Sequence, residues 1–292
     1  MTGVVLLSNG RISETPCIGL KIYNINIIPS LKCLSYETHL THHGMVKIGN
    51  SPTTDKDWDF LIFTQNWPGS VCKVWTHKKP NHHCVYPNKK DSWTIHGIWP
   101  TKAGTKGPFS CNTTWLFDPE QVRPIESELE QAWTNVEKET QLYALWAHEW
   151  NKHGTCAAMI EPFNSELKYF SKGIDFLKRY LMTDMLNEAN IVPSDINQIH
   201  AEDINNAVVS KIGKRPVIVC RFEDGVQYLV ELRICFDKQL NLMECAGEPE
   251  VNGMLTTCNV SKGIMYPTQS PPAKRYLVQL HKFVNWVQWF TL

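Results

Sequence analysis

The chain carries no excess charge of either sign. Its 29 Lys and Arg are balanced by 29 Asp and Glu, and the sequence pI is about 7.1. That excludes binding to a polyanion by bulk attraction, as in a coat protein or a high-affinity repressor, but leaves room for local positive charge. No C-x-x-C pair occurs among the ten cysteines, so the usual framework of a structural zinc site is missing. No apolar run is long enough to span a membrane. Val4-Val5-Leu6-Leu7 is too short for the core of a signal peptide, so an export signal is expected to be absent from this chain. There are no internal repeats.

What is present points outward. Cys17, Cys33, Cys72, Cys84, Cys111, Cys156, Cys220, Cys235, Cys245 and Cys258 are an even, scattered set, which reads as disulfides in an oxidising compartment. Two glycosylation sequons agree, at Asn112 and Asn259. Eleven tryptophans suit either a Trp-rich core or stacking against bases.

Residues 1–55 read as an irregular extension, rich in Ile, Thr, Ser, Asn and His, in which Cys17 and Cys33 are able to pair with each other. From Trp58 the texture is that of a compact domain, expected over 56–267, followed by a tail over 268–292. Phe60 to Thr64 predicts a buried strand stopped by Trp67-Pro68-Gly69. Asp118, Pro119 and Gln121 predict a capped helix start running toward Trp133. Further helices are expected from Leu142 to about His153 and within Glu166 to Tyr180, where Leu167, Phe170, Ile174 and Leu177 recur at helical spacing. Pro216–Cys220 and Val226–Cys235 predict strands around the turn Glu223-Asp224-Gly225. Tyr276, Leu280, Phe283, Val287 and Phe290 predict an amphipathic terminal helix, docked on its own domain.

Two short segments hold the chemistry. One is Trp93-Thr94-Ile95-His96-Gly97-Ile98-Trp99-Pro100. The other is His148-Glu149-Trp150-Asn151-Lys152-His153-Gly154-Thr155-Cys156. On a helix, with His148 at zero, Lys152 falls near ~40°, Glu149 near ~100° and His153 near ~140°. Four ionisable groups then share one arc, with Trp150 and Asn151 turned away, and Gly154 suits a C-cap. A zinc helix of the His-Glu-x-x-His type needs histidines four apart. His148 and His153 are five apart, with Lys152 between them, and an ammonium repels a metal dication. No metal or other cofactor is therefore expected. His96 alone would read as a core histidine; its weight comes from the second segment. Gly97 leaves room for a close approach of a ligand to the backbone. Together the groups supply an acid, a base and positive charge for an anionic transition state.

These two segments resemble the paired active-site signatures of the ribonuclease T2 family of secreted or lysosomal acid ribonucleases. Cys111 between them, and Gln65-Asn66-Trp67-Pro68 followed by Cys72, also fit the family pattern. The resemblance covers roughly residues 57–267. It implies an α+β fold, an antiparallel-rich sheet packed with several helices and stapled by disulfides. The implied pairs are Cys72 with Cys84, Cys111 with Cys156, Cys220 with Cys258, and Cys235 with Cys245. It implies His96 and His153 as the acid–base pair, with His153 taken as base and His96 as acid. Glu149 and Lys152 would stabilise the transition state, His148 would hold phosphate, and Trp99 and Gln65 would contact substrate. Thr101 and Leu145 depart from the family, where an acidic and an aromatic residue are usual, so nucleotide preference is expected to be broad.

The expectation that follows is a metal-independent endoribonuclease acting on single-stranded RNA through a 2′,3′-cyclic phosphate, with DNA inert for want of a 2′-OH. The protein is expected to be a monomer in a secreted or lysosomal lumen, glycosylated at Asn112 and Asn259. Two rivals are a catalytically silent secreted protein with the same fold and, further off, a zinc hydrolase.

Overall fold

The computed structural model describes residues 57–269, apart from 80, 106, 139 and 142, and the backbone at 13–14 and 34–35. The proposed Cys17–Cys33 pair, the remainder of the extension and the terminal helix lie outside the described residues. The chain divides into two units, Met1–Pro52 and Thr53–Leu292. In the first, β1 (Ser13–Glu14) pairs antiparallel with β2 (Leu34–Ser35).

In the second unit β3 (Phe60–Asn66) lies between β4 (Thr94–Thr101) and β7 (Val226–Phe236), antiparallel to both. All seven residues of β3 are buried, as a central strand covered on both faces requires. Pro68 does more than stop that strand. It opens α1 (Pro68–Lys78), where a first-turn proline has no amide to lose.

The segment after Asp118 departs from the expected single helix. Asp118 does cap α2 (Pro119–Val122), its Oδ1 accepting from the Glu120 amide at 3.1 Å. A 3-10 turn at Arg123–Ile125 then separates α2 from α3 (Glu126–Ala132), because Pro124 cannot supply an interior helical amide. Next come α4 (Ala144–Glu149), a π-helical segment (Trp150–Gly154) and α5 (Thr155–Ala157). The amphipathic α6 (Glu166–Arg179) buries Phe170 and Ile174 but leaves Leu167 exposed. α7 (Met182–Glu188), β5 (Gln198–Ile199) and α8 (Ala201–Ile212) were not foreseen.

β6 (Val217–Glu223) and β7 form a hairpin closed by Asp224 and Gly225, both at positive φ (50° and 79°). That is the mirror-image turn matching strand twist, and Asp-Gly is the pair that tolerates it. Short strands complete the sheet: β8 (Leu242–Met243), β9 (Glu250–Val251), β10 (Met254–Thr256) and β11 (Ile264–Met265). The main order is β4-β3-β7-β6-β10-β9. Among the described residues only β6–β10 and β7–β11 are parallel, so the architecture is α+β with an antiparallel-rich sheet.

Trp58, Trp67, Trp93, Trp133, Trp146 and Trp150 are buried, which settles most of the tryptophan count in favour of the core. The bridges are Cys72–Cys84, Cys111–Cys156, Cys220–Cys258 and Cys235–Cys245. Cys111–Cys156 closes the longest sequence interval, 45 residues, for which loop-closure entropy allows a stabilisation of about 4 kcal/mol. No helix among the described residues is long and apolar enough to cross a membrane.

Candidate active site

A cleft of about 750 Å³ is walled by β4 and β7 on one side and by the helical segment around residues 148–153 on the other. His96, Trp99, His148, Glu149, Lys152 and His153 all line it. A second cleft, also about 750 Å³, is lined by Asn66, Asn135, Val136 and Leu145, and shares His96, Arg221, Glu231 and Arg233 with the first.

On the strand wall, the β3–β4 register passes from Thr64 opposite Gly97 to Gln65 opposite Ile95, which leaves His96 as the extra residue of a β-bulge. A bulge re-aims side chains. His96 and Trp99, an odd number of residues apart, would face opposite ways in a regular strand; the bulge lets both face the cleft. Gly97 is the second requirement. A Cβ there would lie 2.0 Å from Glu149 Oε2 and 2.2 Å from Trp99 Nε1, so only glycine lets the helix wall come this close. The indole Nε1 of Trp133 donates to the His96 carbonyl at 2.7 Å and pins the bulge from behind.

On the helix wall, the π-helical turn changes the spacing that the sequence alone suggested. A wider turn brings residues five apart onto one face, and the His148 and His153 rings lie 6.2 Å apart. The expectation that Gly154 caps the helix is corrected. Its φ of −59° is right-handed and the helix continues through α5. The spacing argument against a metal is corrected too. Ligand atoms of His148, Glu149 and His153 all lie within 4.8 Å of one another. The Ser110 amide donates to the Lys152 carbonyl at 2.8 Å, and the Cys111–Cys156 bridge ties the same loop to the helix.

The electrostatics of the two walls differ. Glu149 is 1% exposed; Oε2 accepts from Trp99 Nε1 at 2.9 Å, while the buried Oε1 has no hydrogen-bond partner. Burial pushes its carboxyl up to about 7, against the pull of His96, Trp99 and Lys152. His96 gives Nδ1 to Glu231 Oε1 at 2.7 Å and places Nε2 3.9 Å from Glu149 Oε1. Burial alone would lower this imidazole, but the Glu231 hydrogen bond and charge, with Glu149, raise it above the ordinary histidine value. His153 is buried and its Nδ1 has no partner. Burial, then Lys152, His148 and His96, drive it down to about 2. His148 stands exposed at the mouth, lowered first by partial burial and then by Lys152 and His96.

Two expected substrate contacts change. Gln65 is wholly buried; its Nε2 donates to the Tyr180 carbonyl at 2.6 Å and its Oε1 accepts from the Met182 amide at 3.2 Å. Strand alternation puts its neighbour Asn66, not Gln65, on the cleft side. Trp99 does reach the cleft, with the Arg233 guanidinium 5.1 Å over its ring and the His153 ring 5.5 Å from it at a tilt of 33°. Phe109, 47% exposed, also lines the cleft, with Lys152 Nζ 5.0 Å from its ring centroid; nothing in its sequence context signals this. Glu231 and Arg233 were missed as well, although two charges at period two, the only ones in β7, are a readable signal. Thr101 lines the first cleft and Leu145 the second. Asn112 and Asn259 are both exposed.

Fold and cleft together define a disulfide-bridged α+β protein with two histidines in opposed environments around a buried carboxyl. The sequence profile described as the Ribonuclease T2 family matches residues 58–245, and the chain belongs to that family. It is similar to Ribonuclease Oy of Magallana gigas, 35% identical over 73% of this chain and 97% of that protein. It is also similar to Extracellular ribonuclease LE of Solanum lycopersicum, 32% identical over 65% of this chain and 81% of that one. Among solved structures, RNase NT in complex with 5′-AMP superposes with a TM-score of 0.61 at 28% identity, covering 73% of this chain and 99% of that one.

Proposed function

We propose that this endoribonuclease of the ribonuclease T2 type cleaves single-stranded RNA by metal-independent transesterification, with His153 as base and His96 as acid. The observation that carries this reading is two histidines in one cleft, His96 hydrogen-bonded to the buried Glu231 carboxylate and His153 with no partner at Nδ1. His153, kept neutral, takes the proton of the ribose 2′-OH. The 2′ oxygen attacks phosphorus, the bond to the 5′ oxygen breaks, and His96 Nε2 gives that oxygen its proton. The products are a 2′,3′-cyclic phosphate and a 5′-OH. An anionic phosphate in the cleft raises His153 from its depressed value toward the range of an effective base. Lys152 offsets charge on the phosphorane, and protonated Glu149 offers Oε1 as a donor to a phosphoryl oxygen. His148 holds phosphate at the mouth. The exposed ring of Phe109, beside Trp99 in the cleft, gives one base a stacking surface. The second cleft, with Asn66 and Asn135, gives the neighbouring nucleotide a place on the other side of His96. DNA, without a 2′-OH, is not cut.

The four bridges and the exposed Asn112 and Asn259 suit a glycosylated monomer in an oxidising lumen, secreted or lysosomal. The domain limits 56–267 are retained as the catalytic unit, widened by Gln269, whose side chain bonds to residues 91 and 92.

One observation favours a second reading. The His148, Glu149 and His153 donors are close enough for one cation. Lys152 opposes it, since its charge already depresses His153. RNA cleavage in EDTA, with and without His96→Ala, separates the cases. Cyclic-phosphate product in EDTA that His96→Ala abolishes supports the acid–base reading. Activity lost in EDTA and restored by a divalent cation would transfer the role to metal. No cleavage from acid to neutral pH would leave a silent protein.

A further inference from the structure

His96 acts on the leaving oxygen through Nε2, and its ring has a second nitrogen. That nitrogen is not idle. Nδ1 lies 2.7 Å from Glu231 Oε1, and Glu231 is itself buried in the sheet. The second oxygen of Glu231 is committed as well: Oε2 accepts from Arg233 Nε at 3.0 Å and Nη2 at 2.7 Å, a two-pronged clamp. Arg233 in turn reaches Glu248 at 3.4 Å and covers the Trp99 ring.

The sheet makes this line of groups. Glu231 and Arg233 are two apart on β7 and so share a face. Glu231 lies opposite Asn66 of β3, and the β3–β4 bulge sets His96 across that strand. A second bulge, where β6–β7 pairing passes from Val219–Glu231 to Cys220–Leu229, adjoins Glu231. Two register faults thus bracket one ion-pair line, and each is a device that redirects a side chain.

We propose that Glu231 is the positioning residue of the acid: it fixes the His96 tautomer and ring so that Nε2 faces the leaving oxygen, with Arg233 as the clamp that holds Glu231. This rests on the reading of His96 as the acid. A ring hydrogen bond to a fixed carboxylate decides which nitrogen carries which proton. With Nδ1–H given to Glu231, the proton that shuttles is the one on Nε2. The carboxylate also favours the imidazolium, so His96 arrives charged at the step where its proton is needed. Arg233 supports this by keeping Glu231 ionised; its carboxyl is held at about 2 by the His96 and Arg233 contacts despite burial.

The groups that face His96 carry both signs. Glu231 and Arg233 come from β7, Arg221 lines the shared cleft from β6, and Glu149, His148 and His153 come from the helix wall. Glu231 and Glu149 raise the ring and Arg233 lowers it. Opposite substitutions on one face of β7 should therefore move the same titration in opposite directions, which a merely structural role would not do.

The test is the pH dependence of kcat on single-stranded RNA in EDTA, for the wild type, E231Q, E231A and R233M. His96 must be protonated to act, so its ionisation sets the alkaline limb. E231Q should move that limb down by about one pH unit while keeping the acid-side rate within about threefold, because the amide oxygen still orients Nδ1–H. E231A should lower kcat at every pH by about tenfold, with KM little changed, because the ring is no longer held. R233M should move the limb up. Limbs unmoved in E231Q and R233M, or moved the same way, overturn the proposal. Circular dichroism at each pH identifies any variant that fails to fold. If E231Q is such a variant, the R233M limb decides: an upward move supports the proposal, and any other result overturns it. If the wild type cuts no RNA, the functional reading fails, while the NMR titration of the His96 ring in wild type and E231Q still tests Glu231. A lower His96 titration in E231Q supports it, and an unchanged one rejects it.

Discussion

The two walls of the cleft treat the same side chain in opposite ways. On the strand wall His96 has a carboxylate at Nδ1 and another beyond Nε2, and the ring is biased toward the charged form. On the helix wall His153 has no partner at Nδ1, lies under Lys152, and is biased toward the neutral form. The imidazoles are chemically equal; the difference lies in what the backbone brings beside each. A bulged sheet brings the Glu231 carboxylate to one histidine, and the π-turn brings Lys152 beside the other. Acid and base are thus assigned by environment, which one fold needs if both are to work near one pH.

The comparison is broken most severely by removing either ring. His96→Ala and His153→Ala should each lower kcat by about 10³-fold on RNA, measured as cyclic-phosphate release, with KM changed far less. Gly97→Ala comes next, because its Cβ would meet the Glu149 carboxylate and Trp99 indole at 2.0 and 2.2 Å. The walls must part, and kcat should fall about 10²-fold. Lys152→Met removes the cation that depresses His153. It should lower kcat about tenfold and move the acid limb of the rate profile upward, since the base then loses its proton only at higher pH.

Glu149→Gln sharpens the account through stability. A carboxyl raised to about 7 in the folded state and near 4.5 when unfolded is protonated at pH 4 in both, so it costs nothing there. Between about pH 4.5 and pH 7 the unfolded chain ionises this acid while the folded protein keeps its proton, so stability falls across that window and the full penalty stands above it. The glutamine variant should therefore match the wild type in thermal unfolding at pH 4 and exceed it at pH 8 by about 3 kcal/mol, while its kcat falls. Equal stability at pH 8 would mean that Glu149 is not held in an apolar setting.

Much of the site was legible because its groups are local in sequence. His148, Glu149, Lys152 and His153 fall on one arc of any right-handed helix, and the structure lines the cleft with all four. What was not legible depends on register. The sequence does not announce that the helix widens at Trp150, so the five-residue histidine spacing argues against a zinc helix where the structure brings the two rings together. Nor does it mark the bulge at His96, without which His96 and Trp99 could not face one cleft. Gln65 and Asn66 are adjacent polar residues on a buried strand, and which of them meets substrate turns on a single step of alternation. Glu231 enters from a strand some 135 residues beyond His96, a pairing that only the sheet order reveals.

The walls of the cleft bias the two histidines in opposite directions. This opposition is tested most directly by NMR titration of both ring protons in one sample of the ligand-free protein, assigned with His96→Ala and His153→Ala. The account predicts that His96 titrates above 6.5 and His153 well below it. Two rings titrating together near 6.5, or in the reverse order, would contradict it.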